Sequence, residues 1–374
     1  MGVIVQKYGG SSVADVQKIQ RVAERVAATR GRGSQVCVVV SAMGDTTDEL
    51  LKLAQRVSDG NPHRRELDRL LTAGERISMA LLVMALHARG VEAVSFTGSQ
   101  SGIITDGAHT NARILEVRPV RILEELGRGK VVIVAGYQGV SREKEITTLG
   151  RGGSDTTAVA LAAALEAEVC EICSDVDGVF TTDPRIAPGA RRLSELSHEE
   201  MQELALAGAK VLNAQAVEFA RDRGITIHAR SSFQSGPGTV VRKSATRELR
   251  ISGIALDAEV LVVRGAPLEL LQKHGAWPRE AWDDRAIVPL ENVHGLPALL
   301  ADLRGYEVSN DLAQVSIVGT GIGASKEPLD RALAALELTP RSTLVAPLRI
   351  AFLVPRDAAK DCVRRLHSEF IERS

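Results

Sequence analysis

The sequence predicts an α/β fold: a mainly parallel sheet sandwiched by helices, followed by two small α+β modules. Apolar runs of strand length, such as 35–40 and 130–135, are continuous rather than alternating, which is typical of strands buried on both faces. Helical stretches lie between these runs, and glycine- or serine-rich loops follow them. Ligands of such sheets bind beyond the carboxyl ends of the strands, so we expect the binding site in these loops.

The first part of the chain, residues 1–245, is predicted to alternate strands with helices. The predicted strands are 3–8, 35–40, 130–135, 168–173 and 226–229. The predicted helices are 14–29, 155–165 and 210–223. In the first helix, Val16, Ile19, Val22 and Val26 recur at the spacing of one helical face. Alternation of this kind indicates a parallel sheet.

A change in composition near residues 244–248 predicts a domain boundary. Serine, glycine and proline are frequent before it, and charged residues follow. Beyond it, the order strand–helix–strand–helix occurs twice, which predicts one module over 250–310 and another over 311–374. The first round is 259–263, 268–274, 285–289 and 296–303; the second is 314–318, 329–336, 348–354 and 358–370. The segment 277–282 fits neither round.

Charge and composition exclude several functional classes. The 46 lysine and arginine residues balance 47 aspartate and glutamate residues, leaving a net charge of −1. The chain therefore lacks the basic character of proteins that bind nucleic acids or anionic membranes. The longest apolar run, 79–87, is well short of the roughly 18 residues of a membrane span. Four scattered cysteines make no disulfide framework, and we expect a cytoplasmic protein.

The first strand ends in a lysine that precedes a glycine-rich turn, Lys7-Tyr8-Gly9-Gly10-Ser11-Ser12. Backbone N–H groups, the start of a helix and one cation together form a cradle for phosphate. A surface lysine before an ordinary turn is the alternative. The patterns G-x-x-x-x-G-K-[ST] and G-x-G-x-x-G are both absent, so neither a P-loop nor a dinucleotide site is predicted.

Three glycines surround an arginine in Gly150-Arg151-Gly152-Gly153, directly before Ser154 and Asp155. Arginine forms bidentate hydrogen bonds with carboxylates and phosphates, and the glycines give a ligand access to the backbone. A glycine turn followed by capping residues would explain the glycines but not the arginine. The segment therefore predicts an anion site, with Ser154 and Asp155 capping the helix that follows.

Two other segments carry weaker signals. Residues 174–185 hold aspartates and an arginine directly after a strand, which suits nucleotide and Mg²⁺ binding, although Asp-Gly and Asp-Pro also form plain turns. Glu75 lies among apolar residues of a helical stretch, which suggests an ammonium partner, whereas a lone glutamate is more often solvated. The cysteines and histidines form no zinc or hydrolase pattern.

Taken in order, these segments resemble the aspartokinase family. The resemblance rests on Lys7-Tyr8-Gly9-Gly10-Ser11-Ser12-Val13, Ser41-Ala42-Met43-Gly44, Thr72-Ala73-Gly74-Glu75-Arg76, Ser95-Phe96-Thr97-Gly98-Ser99-Gln100, Thr148-Leu149-Gly150-Arg151-Gly152-Gly153-Ser154-Asp155, Ser174-Asp175-Val176-Asp177-Gly178-Val179 and Thr182-Asp183-Pro184-Arg185. It covers residues 3–242, and the remainder matches more loosely. Within the family, the sequence is similar to the compact, actinobacterial-like type. The resemblance implies the amino-acid kinase fold followed by two ACT-type regulatory modules.

The resemblance implies phosphorylation of the side-chain carboxylate of L-aspartate by ATP with Mg²⁺, giving 4-phospho-L-aspartate. It assigns catalysis to Lys7, which would hold the β- and γ-phosphates, and to Asp155, which would orient Lys7. Arg151 would clamp a carboxylate of aspartate, and Glu75 would pair with its ammonium group. The full set implied for aspartate is Ser41, Thr47, Glu75, Arg151, Gly152, Gly153 and Ser154. The set implied for ATP is Lys7, Tyr8, Gly9, Gly10, Ser174, Asp175, Phe180, Asp183, Arg185 and Lys210, with no metal bound by the protein alone.

Two alternative functions stay open. One is a kinase of the same fold that phosphorylates glutamate, N-acetylglutamate or a nucleotide. The pair Glu75 and Arg151 suits a zwitterionic amino acid and argues against the last two. The other is a catalytically idle amino-acid sensor, against which the presence of Lys7, Arg151 and Asp155 argues. Release of ADP with aspartate, glutamate or UMP would separate these functions.

The C-terminal part leads to two expectations about regulation and assembly. The turns 263–269 and 321–329 lack the Pro-Gly that the resemblance implies at effector pockets, so we expect weak or no inhibition by lysine and threonine. Loop variation with intact regulation is the alternative, and 291–293 still resembles a pocket segment. No methionine follows Met201, which argues against a separate regulatory chain. We expect a homo-oligomer of full-length chains, associated through the C-terminal modules.

Overall fold

The computed structural model describes residues 2–150, 152–244, 251–282, 284–290, 293 and 295–373. Over these residues the chain forms two compact units. The first comprises 1–179, 194–198 and 211–245, and the second comprises 180–193, 199–210 and 246–374. The expected domains 1–245, 250–310 and 311–374 stay a prediction, and residues 245–250 lie outside the described residues.

Strands and helices alternate through the first unit. Its strands are β1 Val3–Tyr8, β2 Gln35–Val40, β3 Ala93–Phe96, β4 Ile103–Thr105, β5 Ile114–Val117, β6 Val131–Ala135, β7 Gln138–Ser141, β8 Ile146–Thr148, β9 Val169–Ser174, β10 Glu195–Ser197, β11 Ile227–Ser231 and β12 Thr239–Arg242. Its helices are α1 Val16–Gly31, α2 Thr46–Val57, α3 Arg64–Leu71, α4 Ala73–His87, α5 Val120–Gly127, α6 Gly153–Ala164 and α8 Ala214–Arg223.

Eight of these strands form one sheet in the order β10-β12-β11-β9-β1-β2-β6-β3. All neighbouring pairs are parallel except β11 with β12. At the centre, Lys7 of β1 lies opposite Val39 of β2 and Ile172 of β9. The predicted mainly parallel sheet is therefore confirmed, and the carboxyl ends of β1, β2 and β9 meet at one edge.

Different helices cover the two faces of this sheet. On one face, Tyr8 and Val38 pack with Val22 of α1 and Leu82 of α4. Since successive side chains of a strand point to opposite faces, Lys7 points to the other face, which α6 covers. The predicted sandwich of helices around the sheet is thus present in the first unit.

Side-chain caps determine where two helices begin. Asp15 accepts a hydrogen bond from the Lys18 amide at 2.8 Å, and α1 begins at Val16 rather than at 14. Asn213 accepts from two amides of the next turn at 3.0 and 3.1 Å, and α8 begins at Ala214 rather than at 210. Short polar side chains at this position satisfy amides that have no partner within the helix.

One helical stretch, Arg64–His87 across α3 and α4, is long and apolar enough to cross a membrane. The core helix of a globular unit can have the same composition. Leu82 and Leu86 are fully buried in the cluster that packs on the central sheet. Part of the stretch therefore packs in the core of the first unit.

The first unit also holds a smaller sheet in the order β5-β4-β7-β8. Its strands contain only three or four residues each, too few for an apolar period to be recognised, and none of them is predicted above. The hydroxyls of Thr105 and Thr147 hydrogen-bond at 2.6 Å between two of its strands. This sheet ends at Thr148, directly before the glycine loop that contains Arg151.

The second unit contains two four-stranded antiparallel sheets, β13-β18-β20-β19 and β15-β16-β14-β17. Its strands are β13 Ile251–Asp257, β14 Val260–Arg264, β15 Glu280–Trp282, β16 Arg285–Pro289, β17 Glu307–Ser309, β18 Leu312–Gly319, β19 Ser342–Ala346 and β20 Arg349–Pro355. Its helices are α7 His198–Leu206, α9 Leu268–Lys273, α10 Leu296–Asp302, α11 Glu327–Leu336 and α12 Ala359–His367, with a π-helical turn at Ser368–Glu372. Each sheet has its own hydrophobic cluster, as expected for two small α+β modules.

Sheet pairing in this unit crosses the expected limit between the modules. The strand β13 pairs with β18, although residues 250–310 are the expected first module. Pairing between distant segments leaves no mark in the periodicity of either one. The segment 277–282, which fits neither predicted round, supplies β15 and pairs with β16.

Candidate active site

Lys7 and Asp155 form an ion pair at the edge of the central sheet. The Lys7 Nζ lies 2.7 Å from the Asp155 Oδ1, and the two side chains are only 13% and 10% exposed. Asp155 lies in the first turn of α6, where the helix dipole favours a carboxylate. Its Oδ2 accepts a hydrogen bond from the Asn213 amide at 3.2 Å. The carboxylate is therefore held from two sides and directs the Lys7 ammonium.

The turn after β1 brings backbone amides next to this ammonium. The Lys7 Nζ lies 3.4 Å from the point where a Cβ atom would stand at Gly9. At Gly10 a Cβ atom would approach the carbonyl oxygens of Ala42 and Gly44 to 3.0 and 3.1 Å, so glycine allows the turns after β1 and β2 to touch. A cation beside the backbone of a glycine-rich turn has the composition of the predicted phosphate cradle.

Contacts of Ser41 join β1, β2 and α4 at this edge. Its amide donates to the Tyr8 carbonyl at 3.1 Å, and its carbonyl accepts from the Ser78 Oγ of α4 at 2.6 Å. The Tyr8 side chain is fully buried in the core, and this burial raises the pKa of its phenol well above the ordinary value. Only the backbone of Tyr8 therefore faces the turn.

Glu75 of α4 carries a buried carboxylate that is only half paired. The residue is 3% exposed, and its Oε1 accepts a hydrogen bond from the Ala42 amide at 3.1 Å. Its buried Oε2 has no hydrogen-bond partner among the described residues. Burial raises the pKa of Glu75 to about 7, because leaving water disfavours the charged form. Buried charges normally have a partner, so this oxygen offers a site for a cationic ligand.

The glycine loop before α6 requires glycine at two positions. Gly150 and Gly152 have φ of 75° and 73°, in the left-handed region that glycine adopts without strain. A Cβ atom at Gly152 would lie 2.1 Å from the Asn213 Nδ2, so the loop also passes too close to Asn213 for a side chain. Arg151, the predicted anion ligand, lies outside the described residues.

The helix that follows the loop begins at Gly153, with Gly152 at the cap position. The prediction that Ser154 and Asp155 cap this helix is therefore wrong: both lie within its first turn, because the left-handed backbone of Gly152 makes the turn into the helix. Ser154 is 7% exposed, and its Oγ lies 2.8 Å from the Cβ position of Gly136. This places Ser154 at the end of β6, beside the same edge of the sheet.

Three more predicted residues lie at the ends of strands or the start of a helix in the first unit. Thr47 is half-buried in the first turn of α2, and Ser174 is the last residue of β9. Asp175 follows it and is exposed. The Gly9 amide donates to the Cys173 carbonyl at 3.3 Å, so Ser174 and Asp175 follow directly on a contact with the Lys7 turn.

Four residues predicted to bind ATP belong to the second unit: Phe180, Asp183, Arg185 and Lys210. The Asp183 carboxylate pairs with the Arg185 guanidinium at 2.8 Å, with the Arg185 side chain 90% exposed. The Lys210 Nζ lies 4.0 Å from the Glu259 carboxylate. Their assignment to the nucleotide stays a prediction.

Two groups that support the site are absent from the predicted set. Asn213 holds Asp155 and packs on Gly152, and its position directly before a helix was the available signal, because short polar residues favour that place. The Ser12 Oγ shares a hydrogen bond of 2.6 Å with the Ser232 Oγ, which joins the turn after β1 to the turn after β11. Nothing local in the sequence distinguishes Ser232 from its serine neighbours.

This geometry offers two kinds of ligand contact. The directed ammonium of Lys7 beside backbone amides suits the negative charge of a phosphoryl group, and the half-paired carboxylate of Glu75 suits an ammonium. In the described part of the chain, no group of three or more His, Cys, Asp or Glu side chains is placed to hold a metal ion.

Known proteins resemble this chain in sequence and in structure. The sequence profile of the Amino acid kinase family matches residues 2–231. The chain is 57% identical over 271 residues to the aspartokinase of Mycolicibacterium smegmatis, covering 70% of this chain and 64% of that protein. It is 41% identical over 401 residues to the aspartokinase of Thermus thermophilus, covering 99% of each.

Solved structures of aspartokinase III from E. coli superpose on most of the chain. The structure with aspartate and ADP, in the R-state, has a TM-score of 0.83 at 25% identity and covers 98% of this chain and 99% of that one. The structure with lysine and aspartate, in the T-state, has a TM-score of 0.78 at 25% identity and covers 99% of both.

Coverage differs between these relatives. The match to the M. smegmatis enzyme spans less than two thirds of that protein's length, whereas the T. thermophilus enzyme is matched almost from end to end. The family profile covers more than half of this chain, and a relative matched over its full length exceeds 40% identity. The chain therefore belongs to the amino acid kinase family and, within it, to the aspartokinases.

Proposed function

We propose that this chain is an aspartate kinase, which transfers the γ-phosphoryl group of ATP to the side-chain carboxylate of L-aspartate and yields 4-phospho-L-aspartate and ADP. The observation that carries the proposal is Glu75, whose buried Oε2 lacks a partner among the described residues and would be completed by the ammonium group of an amino acid. The similar aspartokinase III from E. coli, whose structure was solved with aspartate and ADP, supports the same substrate.

The acceptor in this reaction needs no general base, because the side-chain carboxylate of aspartate is ionised at pH 7. Catalysis then consists of aligning the two substrates and neutralising charge on the transferred group. We assign the neutralising charge to Lys7, directed by Asp155, with the Gly9 and Gly10 amides beside it. Mg²⁺, when bound with ATP, would neutralise further phosphate charge, and the exposed carboxylate of Asp175 is the kind of oxygen ligand that this cation prefers.

The remaining residues divide between the two substrates. In addition to Glu75, we assign six residues to the binding of aspartate: Ser41, Thr47, Arg151, Gly152, Gly153 and Ser154. In addition to Lys7, Gly9 and Gly10, we assign to the binding of ATP the backbone of Tyr8 and the residues Ser174, Asp175, Phe180, Asp183, Arg185 and Lys210.

A coupled assay of ADP release tests the proposal. The full chain with MgATP should release ADP with aspartate and not with glutamate or UMP. Turnover with glutamate or UMP alone would assign another substrate to the same fold, and no turnover with any of the three would support the idle sensor instead. Either result would overturn the proposal.

We also propose weak or absent feedback inhibition by lysine and threonine. The connection from β14, which ends at Arg264, to α9, which begins at Leu268, contains Gly265-Ala266-Pro267 and no Pro-Gly. The connection between β18 and α11 also lacks Pro-Gly. Glu291 and Asn292, which resemble a pocket segment, lie outside the described residues. Kinase activity at millimolar lysine, threonine and both together should stay flat, and strong inhibition by the pair would refute this.

We further propose a cytoplasmic homo-oligomer that associates through the C-terminal modules. All four cysteines are free and buried, as suits a reducing compartment. Light scattering of the untagged full chain after size-exclusion chromatography should give a multiple of 40.0 kDa. A monomer at micromolar concentration, or a second and shorter chain in the preparation, would contradict the proposal.

A further inference from the structure

The first unit contains a cavity that is lined by arginines and lies apart from Lys7. It has a volume of about 450 Å³ and lies between α1 and the segment 230–235 at the end of β11. Arg21 and Arg25 belong to α1, Arg32 directly follows the end of α1, and the fourth cation is Arg230. This cavity is used by none of the functions assigned above.

The spacing of the arginines places them along one side of α1. Arg21 and Arg25 lie about one helical turn apart, and Arg32 lies about two turns further on, at the residue that caps the end of α1. Ala28 and Thr29 line the cavity between them. At 1.5 Å per residue, the backbones of Arg21 and Arg32 are about 16 Å apart. The cationic side of the helix is therefore longer than a single small ion.

Three of the four guanidinium groups lie more than 4.0 Å from every described carboxylate oxygen, and of these three Arg25 is near enough to help lower the pKa of Glu171. Arg21 donates to the Phe233 carbonyl at 3.2 Å and lies 4.5 Å from the centre of the Phe233 ring. Arg25 donates to the Ser231 carbonyl, and Arg32 donates to the Thr29 hydroxyl at 3.0 Å. Among the described residues, none of these three arginines forms an ion pair within 4.0 Å. Each has N–H donors left for a ligand.

The two carboxylates at the cavity are already engaged. Burial favours a higher pKa for Glu171, but a hydrogen bond from Gln6 at 2.7 Å and the Arg230 guanidinium at 2.7 Å bring the pKa below its ordinary value. Glu24 pairs with Arg89 at 2.9 Å. The lining therefore keeps an excess of positive charge.

The cavity and the Lys7 site lie on opposite faces of the sheet. Gln6 contacts Glu171 on the cavity side, whereas Lys7, the next residue of β1, contacts Asp155 of α6. Neighbouring residues of a strand point to opposite faces. A ligand in this cavity would therefore not occupy the place of ATP or aspartate.

We propose that this cavity binds a small molecule that carries two or more linked phosphate groups. Arginine forks bind phosphate oxygens in pairs, with charge-assisted hydrogen bonds. The length of the arginine row and the volume of the cavity suit a polyphosphate chain better than a single anion, and the engaged carboxylates do not compete for the forks.

Titration calorimetry of the full chain with pyrophosphate, at constant ionic strength, tests the proposal. Arg21 and Arg32 are exposed, so the double variant Arg21→Gln/Arg32→Gln should fold normally. It should lose one class of pyrophosphate sites, with binding weakened at least about tenfold, as expected for the loss of charged hydrogen bonds. Arg30→Gln is the matched control, since Arg30 is also exposed on α1 but donates to the Gly129 carbonyl at 2.8 Å.

Lys7→Ala separates this cavity from the proposed kinase site. It should leave the arginine-dependent class of sites intact, whether or not pyrophosphate also binds near Lys7. Equal binding by wild type and the double variant would overturn the proposal. Equal weakening of pyrophosphate binding in Arg30→Gln would show that the loss depends only on overall charge. Citrate binding as tightly as pyrophosphate would show that the cavity does not select phosphate. Either result would also overturn the proposal.

Discussion

Replacing Glu75 with glutamine should weaken substrate binding and stabilise the fold at the same time. The carboxylate is 3% exposed, has one oxygen without a partner among the described residues, and has a pKa of about 7. In the free protein near neutral pH, the Glu75 carboxyl is therefore a buried group that is only partly ionised. Only its ionised form can pair with the ammonium group of aspartate.

The KM for aspartate should consequently depend on pH. With a pKa of about 7, roughly a tenth of Glu75 is ionised at pH 6 and roughly nine tenths at pH 8. The KM should therefore be about tenfold higher at pH 6 than at pH 8. In Glu75→Gln, loss of a charged hydrogen bond should raise the KM at pH 8 by roughly 10- to 100-fold, and the dependence on pH between 6 and 8 should disappear.

The same pKa predicts the direction of the stability change. Because the folded state raises the pKa from 4.5 to about 7, the folded protein binds this proton more tightly than the unfolded chain does. Stability from this group is complete below pH 4.5 and is lost as the pH rises through 7. The loss amounts to about 3 kcal/mol at pH 8. Glutamine stays neutral, so the variant should be more stable than wild type at pH 8, and by a smaller margin at pH 6.

Two measurements at pH 6, 7 and 8 check this reasoning: KM from coupled ADP release, and the free energy of unfolding from urea titration. Glu92→Gln serves as the control, because Glu92 is exposed and should change neither quantity. An unchanged KM in Glu75→Gln would show that Glu75 does not contact the ammonium group of aspartate. A variant less stable than wild type at pH 8 would show that the carboxylate is paired in solution.

Three other substitutions probe the site. Lys7→Ala should lower kcat by roughly 10²–10³, the cost of removing one donor at developing charge, and near wild-type turnover would refute the cradle. Asp155→Asn should lower kcat by less and leave the KM for aspartate unchanged, since it only directs Lys7; a raised KM would contradict that role. Gly152→Ala should destabilise more than Gly60→Ala when unfolding is followed in urea. Both have positive φ and pay about 1–2 kcal/mol of strain, but only Gly152 meets Asn213; equal losses would refute the close contact.

The edge of the sheet that carries the site could be predicted because its signals are local. The strand β2 is a continuous apolar run, β1 and β9 are mostly apolar, and each of the three ends at or directly before a glycine or serine. Glu75 could be singled out by its apolar neighbours. That the Glu75 carboxylate is only half paired could not be predicted. Its one contact is with the Ala42 amide, and Ala42 is distant from Glu75 in the sequence.

Backbone conformation explains other differences between prediction and structure. A Gly-Gly-Ser-Asp sequence leaves open which residue makes the turn into α6, and the left-handed φ of Gly152 decides it. The pairing of β13 with β18 joins segments that lie far apart in the sequence, and each of them alone indicates only a strand. The strands of the sheet β5-β4-β7-β8 are too short to show a period.

The pairing of Asp257 with Gln314 across β13 and β18 means that the chain leaves one sheet and returns to it at neighbouring points. Everything between them, including the whole sheet β15-β16-β14-β17, is topologically an insertion. Its two ends meet, so this segment can lengthen, shorten or be exchanged without shifting the register of its host sheet. The host sheet, in contrast, closes only after the inserted segment has been synthesised, since β13 has to wait for β18.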